Sequence, residues 1–165
     1  MYHFLTSPAR AAHHNHTIRT EQRMPTRKAS AVWEGGLRSG KGTYKTASGL
    51  VGGSYGFGSR FEESPGSNPE ELIAAAHAAC FSMALSAGLE RAGKTATRVA
   101  TEAACTVEKV GDAFTITRMK LVVRAKVPGM DQAGFAAAAE SAKEGCPVSR
   151  ALKGNVAVEL DAKLE

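Results

Sequence analysis

NPEELIAAAHAACFSMALSAGLER, residues 68–91, is the stretch on which the fold turns. Asn68 is a favoured N-cap, and Pro69 suits the first helical position because its missing N–H would be unpaired there in any residue. Glu70 and Glu71 oppose the positive end of the helix dipole, and Glu71 stands where a capping-box acid reaches back to the cap. The pattern predicts a helix running to about Arg91-Ala92, with Gly93 as its stop. No side chain from residue 72 to 89 is charged, a length that raises the question of a membrane span. The segment is rich in alanine, which contributes little to insertion, and holds His77, Ser82 and Ser86. The simpler expectation is a helix of a soluble protein, buried on all sides.

Strand signals lie on both sides of this helix. Residues 27–34 and 42–48 alternate as strands do, joined through Gly35-Gly36 and Ser39-Gly40. Residues 52–58 read as a glycine-rich loop that presents Arg60, without the spacing of a phosphate-binding or dinucleotide fingerprint. Beyond the helix, 98–110 and 113–127 form two strands about a Gly111-Asp112 turn. Asp131 caps a second helix that ends at Gly145, Cys146-Pro147 opens a short third one to about Lys153, and Val156, Val158 and Leu160 mark a closing strand. Strands cluster in sequence and no parallel crossover is required. The predicted class is therefore α+β, antiparallel sheets around a long hydrophobic central helix.

Length and composition narrow the functions. The 165 residues fit one domain with a real core. Residues 1–23 read as an N-terminal extension or tag-like tail outside the fold, with Met24 a second possible start and 24–165 the domain. Part of the net charge of +5 sits in that tail, as Arg10, Arg19 and Arg23 against Glu21. The remainder interleaves bases with acids and shows no basic stripe carrying aromatics, which argues against nucleic acid. Three cysteines, none in a CxxC pair, do not make a secreted disulfide framework. A reducing, cytoplasmic setting is expected, in which a distant cysteine pair does redox chemistry.

The cysteines differ in setting. Cys146 precedes Pro147 at a helix start, where unpaired N–H groups and the helix dipole favour a thiolate. Cys80 lies within the apolar helix, where many cysteines are inert core, and Cys105 falls mid-strand on one face with Ala103 and Val107 and reads as core. His77 shares a helix face with Cys80, three residues away. That pair offers half a zinc site, with Cys146 and Glu70 as further ligands, but no second ligand pair stands at the usual spacing. A Cys–His acyl hydrolase is equally open on spacing, although no oxyanion motif accompanies it.

Three stretches in order decide between these readings: Tyr55 to Glu62 (YGFGSRFE), Asn68 to Met83, and Gly145 to Ser149 (GCPVS). With the opening AVWEG at 31–35 and the GKGT run at 40–43, they resemble the OsmC/Ohr family, and most closely its OsmC branch, over residues 26–164. The resemblance implies a thiol-dependent hydroperoxide reductase folded as an intertwined homodimer. Cys80 would be the peroxidatic cysteine and Cys146 the resolving one, with Arg60 and Glu70 as the charge pair that tunes the nucleophile. It further implies no bound cofactor and no metal, an external dithiol reductant such as a dihydrolipoyl protein, and no membrane or nucleic-acid partner. Organic hydroperoxides, and hydrogen peroxide less well, would be reduced in oxidative and osmotic stress defence. The family carries an aromatic residue or His at position 77. The non-enzymatic alternative is a small-molecule or stress-partner binding protein on the same fold.

The chemistry constrains this reading independently. An ordinary thiol is a few per cent ionised at neutral pH, so complete ionisation supplies only roughly 30-fold in rate. Arg60 must therefore also orient the peroxide and stabilise charge on its oxygens, with Glu70 holding the guanidinium. Phe57, Phe61, Phe81 and Met83 are candidates to line an apolar peroxide pocket. Glu70 and Cys80, ten residues apart on one helix, have Cα atoms about 15 Å apart, and no Pro or Gly between them allows a bend. The expectation is that Cys80 of one chain faces Arg60 and Glu70 of another.

Overall fold

Alternation along residues 113–127 generates the floor of the core. The computed structural model describes residues 24–165, so the expectation of an extension at 1–23 lies outside the described residues. The chain order is β1 (Ala29–Glu34), β2 (Lys41–Thr46), β3 (Gly52–Gly56), α1 (Phe57–Phe61), α2 (Pro69–Arg91), β4 (Arg98–Val110), β5 (Ala113–Lys126), α3 (Gln132–Gly145), α4 (Pro147–Leu152) and β6 (Ala157–Leu164). β5 is the centre of a three-stranded sheet, and Met119, Leu121, Val123 and Ala125 on one of its faces are fully buried. β4 pairs antiparallel with β5 through the two-residue turn, where Gly111 takes φ 61°, a region glycine enters without strain.

On its other edge β5 pairs with β6, and the two run parallel, Arg118 opposite Ala157 and Ala125 opposite Leu164. This departs from the expectation of antiparallel pairing alone. α3 and α4 form the crossover that a parallel connection requires. Alternation within a strand reports which side chains face the core and nothing about direction, so the closing strand was legible and its polarity was not.

α2 lies on this sheet. Ala74, His77, Phe81, Leu85 and Leu89 are buried at helical spacing, and the last three join the β5 row and α3's Phe135, Ala139 and Ala142 in one core. Asn68 caps α2 as expected, accepting from the Glu71 N–H at 2.8 Å. The Glu71 carboxylate accepts instead from the Ser67 hydroxyl at 3.2 Å, so no capping box forms. The expectation of burial on all sides is also corrected. A second apolar face, made of Leu72, Ala75, Ala76, Ala79 and Met83, is uncovered to varying degrees within one chain, and Met83 is 74% exposed.

The second sheet, β1-β2-β3, is antiparallel and thin. Among the described residues of its strands only Gly42 is buried, because Trp33 and Tyr55 close over it with ring centroids 5.4 Å apart. A Cβ at position 42 would stand 2.3 Å from the Tyr55 ring, so that approach needs glycine. The glycine-rich segment expected as a loop is in fact β3 followed by the one-turn α1, tied to the start of α2 by a bridge between Tyr55 and Ser67.

Leu85 is fully enclosed between α2 and the sheet. Leu85→Ala should lower unfolding stability by about 2–5 kcal/mol in urea denaturation, through lost burial and the cavity left behind.

Candidate active site

Arg60 and Glu70 form a three-bond ion pair between α1 and the start of α2. The guanidinium Nε donates to both carboxylate oxygens at 3.1 and 3.2 Å, and a terminal N–H donates to Oε1 at 2.8 Å. This bidentate geometry fixes the plane of the guanidinium as well as its charge. Local structure explains it: α1 turns the chain back over the first turn of α2, and Arg60 stands 5.0 Å from the Phe61 ring centroid. Glu70 is buried while the Arg60 side chain retains 37% of its exposure, so one edge of the cation is open to a further partner.

Cys80 and Cys146 meet at the other end of the molecule. Cys80 sits half-buried in the middle of α2, and Cys146 is fully buried where α3 gives way to α4. Each thiol shifts the other's ionisation, the Cys80 S–H favouring charge on the Cys146 sulfur. Burial, opposed by the Val148 N–H and reinforced by Cys146, pushes the Cys80 thiol above its usual range. Burial acts on Cys146 in the same direction but is outweighed, and its thiol is held down by the N–H and hydroxyl of Ser149, the Cys80 thiol and the Val148 N–H. No capping hydrogen bond of ordinary geometry links the sulfur to α4. The lowering therefore comes from the sum of several polar groups and not from one short bond. The expectation of a favoured thiolate at Cys146 agrees with this.

Within one chain the two pairs do not converge. α2 is unbroken from Pro69 to Arg91, which keeps Glu70 and Cys80 about 15 Å apart along it. Arg60 and Glu70 line a cavity of about 350 Å3 with Ala74, Ala103 and Cys105. Cys105, expected as plain core, is a half-buried thiol facing this cavity, and burial together with the Glu70 charge raises its pKa. That setting keeps Cys105 protonated and unreactive.

The expected aromatic lining is divided. Phe81 is fully buried in the core and Met83 points outward, whereas Phe57 and Phe61 stack 5.1 Å apart and Phe61 continues onto Phe114 at 4.6 Å. Among the described residues no three His, Cys, Asp or Glu side chains gather as metal ligands do. His77 pairs instead with Ser149, its Nε2 lying 2.7 Å from the hydroxyl. Sequence reasoning used Ser149 only as the end of the Gly145–Ser149 stretch and gave it no role of its own. Its place three residues after Cys146 was the available signal.

Comparison with known proteins places this arrangement. The family described as OsmC-like protein matches residues 61–161. Peroxiredoxin OsmC of Escherichia coli is 47% identical over 138 residues, covering 83% of this chain and 96% of that protein. The organic hydroperoxide resistance protein of Xanthomonas axonopodis pv. citri is 34% identical over 96 residues, 58% of this chain and 66% of that one. The crystal structure of the organic hydroperoxide resistance protein OhrB of Bacillus subtilis superposes with a TM-score of 0.66 at 26% identity, over 84% of this chain and 98% of that one. The extent of the family match and the near-complete coverage of the Escherichia coli relative carry the conclusion that this chain belongs to the OsmC-like protein family.

Proposed function

We propose that this chain is a cytoplasmic thiol peroxidase that reduces organic hydroperoxides, and hydrogen peroxide less well, to alcohols or water. The observation that carries the reading is that Cys80 packs against the core cluster holding Cys146, 66 positions away in sequence, with one thiol raised and the other lowered. Relatives named peroxiredoxin and organic hydroperoxide resistance protein support it. No resident cofactor takes part in the scheme. The Cys80 thiolate attacks the distal peroxide oxygen, the O–O bond breaks, and the leaving alkoxide takes a proton to become the alcohol. Cys80 is left as a sulfenic acid. The Cys146 thiolate then attacks the Cys80 sulfur, the S–O bond breaks, and hydroxide leaves as water after protonation. An external dithiol, for which a dihydrolipoyl protein is the candidate, reduces the disulfide.

Within a single chain the bias is the reverse of what the first step needs, since the Cys80 thiol is raised and the Cys146 thiol lowered. A cation beside Cys80 corrects this, and Arg60 of the same chain is out of reach. We infer an intertwined homodimer in which Arg60 and Glu70 of one chain face Cys80 of the other. The uncovered apolar face of α2 and the thin β1-β2-β3 sheet, with Val32 58% exposed, supply surface for such an interface. In the dimer Arg60 lowers the Cys80 pKa, orients the peroxide and stabilises its developing oxyanion.

Cys80→Ser should abolish peroxide consumption. Cys146→Ser should form sulfenic acid on Cys80 and then over-oxidise it, read by mass spectrometry, and Cys105→Ser should be nearly silent. Equal multiple-turnover behaviour of the Cys146 and Cys105 variants would refute the resolving role.

Arg60→Lys keeps the charge and loses the planar fork. A large loss in second-order rate is expected even at a pH where Cys80 is fully ionised. Wild-type rates there would reduce Arg60 to a pKa-lowering role.

Mixing Cys80→Ser with Arg60→Ala subunits should rebuild one intact site per heterodimer and restore part of the activity. An inactive mixture, with subunit exchange demonstrated, would locate the whole site in one chain.

A further inference from the structure

His77 is the single histidine among the described residues, and the scheme above leaves it unused. It is fully buried on α2, one turn before Cys80. Its Nε2 lies 2.7 Å from the Ser149 hydroxyl, 72 positions away, and among the described residues its Nδ1 has no hydrogen-bonding partner. Burial lowers its pKa, so the ring is neutral and carries one N–H.

Where that proton sits follows from the cost of the alternatives. A proton on Nδ1 would be a buried donor with no acceptor, a rare and costly state. A proton on Nε2 leaves only a bare acceptor at Nδ1 and donates to the Ser149 oxygen. The Ser149 hydroxyl proton then needs an acceptor of its own. The Cys146 sulfur is the nearby candidate by position: Cys146 is the N-cap of α4 and Ser149 stands three residues on, neighbours across the first turn, and the hydroxyl is among the groups that lower the Cys146 pKa. The competing acceptor is a backbone carbonyl in the preceding turn, to which helical serines commonly donate.

We propose that His77 is a positioning residue: by donating from Nε2 to Ser149, it turns the Ser149 hydroxyl onto the Cys146 sulfur and holds the resolving thiol ready to attack. The proposal deepens the peroxidase reading and rests on it for the word resolving. The contacts themselves do not depend on that reading. The His77–Ser149 contact joins α2 to α4, and the proposed second link runs from the Ser149 hydroxyl to the Cys146 sulfur at the start of the same helix. It places the only hydroxyl among the groups that stabilise the Cys146 charge under the control of a neutral imidazole.

The test titrates Cys146 as the sole thiol, in the full-length Cys80→Ser/Cys105→Ser chain, by ultraviolet thiolate absorbance against pH. Serine at position 80 preserves a donor beside Cys146. Ser149→Ala should raise the midpoint by about one pH unit, a roughly tenfold loss of thiolate on the acidic side of the titration. Ser149→Thr, which retains the hydroxyl, should leave it near the parent value. His77→Phe should shift the midpoint in the same direction as Ser149→Ala, and the double variant no further than Ser149→Ala alone, because the two residues act through one proton. With Cys80 and Cys105 restored, disulfide formation after one equivalent of peroxide should slow in proportion to the thiolate lost. An unmoved midpoint in Ser149→Ala, or additive shifts in the double variant, would overturn the relay. The two serine variants decide the matter if His77→Phe does not fold. Failure of the wild-type chain to consume peroxide would instead refute the peroxidase reading and leave the titration result standing.

Discussion

The packing of the buried stripe of α2 onto the β4-β5-β6 sheet, where it shares one core with the inward row of β5, is the interaction on which the rest depends. Phe81, Leu85 and Leu89 lock the helix against Met119, Leu121, Val123 and Ala125, and α3 closes the same core from the side. With that face committed, the rotation of α2 about its own axis is fixed. His77 is turned inward toward α4, Cys80 to the margin of the core, and Met83 to the outside. A register error of one residue would turn each of these by about 100°. The chemistry of α2 is thus set by hydrophobic packing that begins at Phe81, the residue next to Cys80.

Electrostatics follow from that placement. Removing thiols from water disfavours ionisation at Cys80, Cys105 and Cys146 alike. What separates the three is the polar company each finds. Cys105 meets a carboxylate, Cys80 meets a neighbouring sulfur that carries charge, and Cys146 meets N–H and O–H donors at the start of α4. Within one chain the bias toward ionisation therefore falls on Cys146, and the raised Cys80 pKa is what a partner's cation has to offset in the proposed dimer.

Much of this was legible in the sequence where the signal is local. Asn68-Pro69 and Gly93 bracket α2 as their backbone chemistry requires, and Gly111-Asp112 marks the β4–β5 turn. The ionic pairing of Arg60 with Glu70 came from resemblance, since a helix-start glutamate has an ordinary capping role on its own. What escaped was of three kinds. β3 has one large side chain, Tyr55, among three glycines and a serine and offers no alternation to read. The direction of β6 depends on which edge of β5 is free after β4 has paired, a fact of topology. The partners of Cys105 and His77 come from elements far away in sequence, and no spacing rule joins residue 77 to residue 149.

The parallel pairing of β6 with β5 has a consequence for assembly. Cys146 lies on the crossover that this pairing closes, so its position is secured only when the last strand of the chain docks. The β4–β5 hairpin can form from neighbouring residues, whereas the β5–β6 ladder joins segments separated by two helices, and such long loops close late. During synthesis Cys80 emerges well before the segment that carries its partner. On the proposed scheme, a nascent chain that has not yet reached α4 carries Cys80 without its resolving partner, and oxidation at that stage has no intramolecular way back. Completion of the fold and protection of the thiol are the same event.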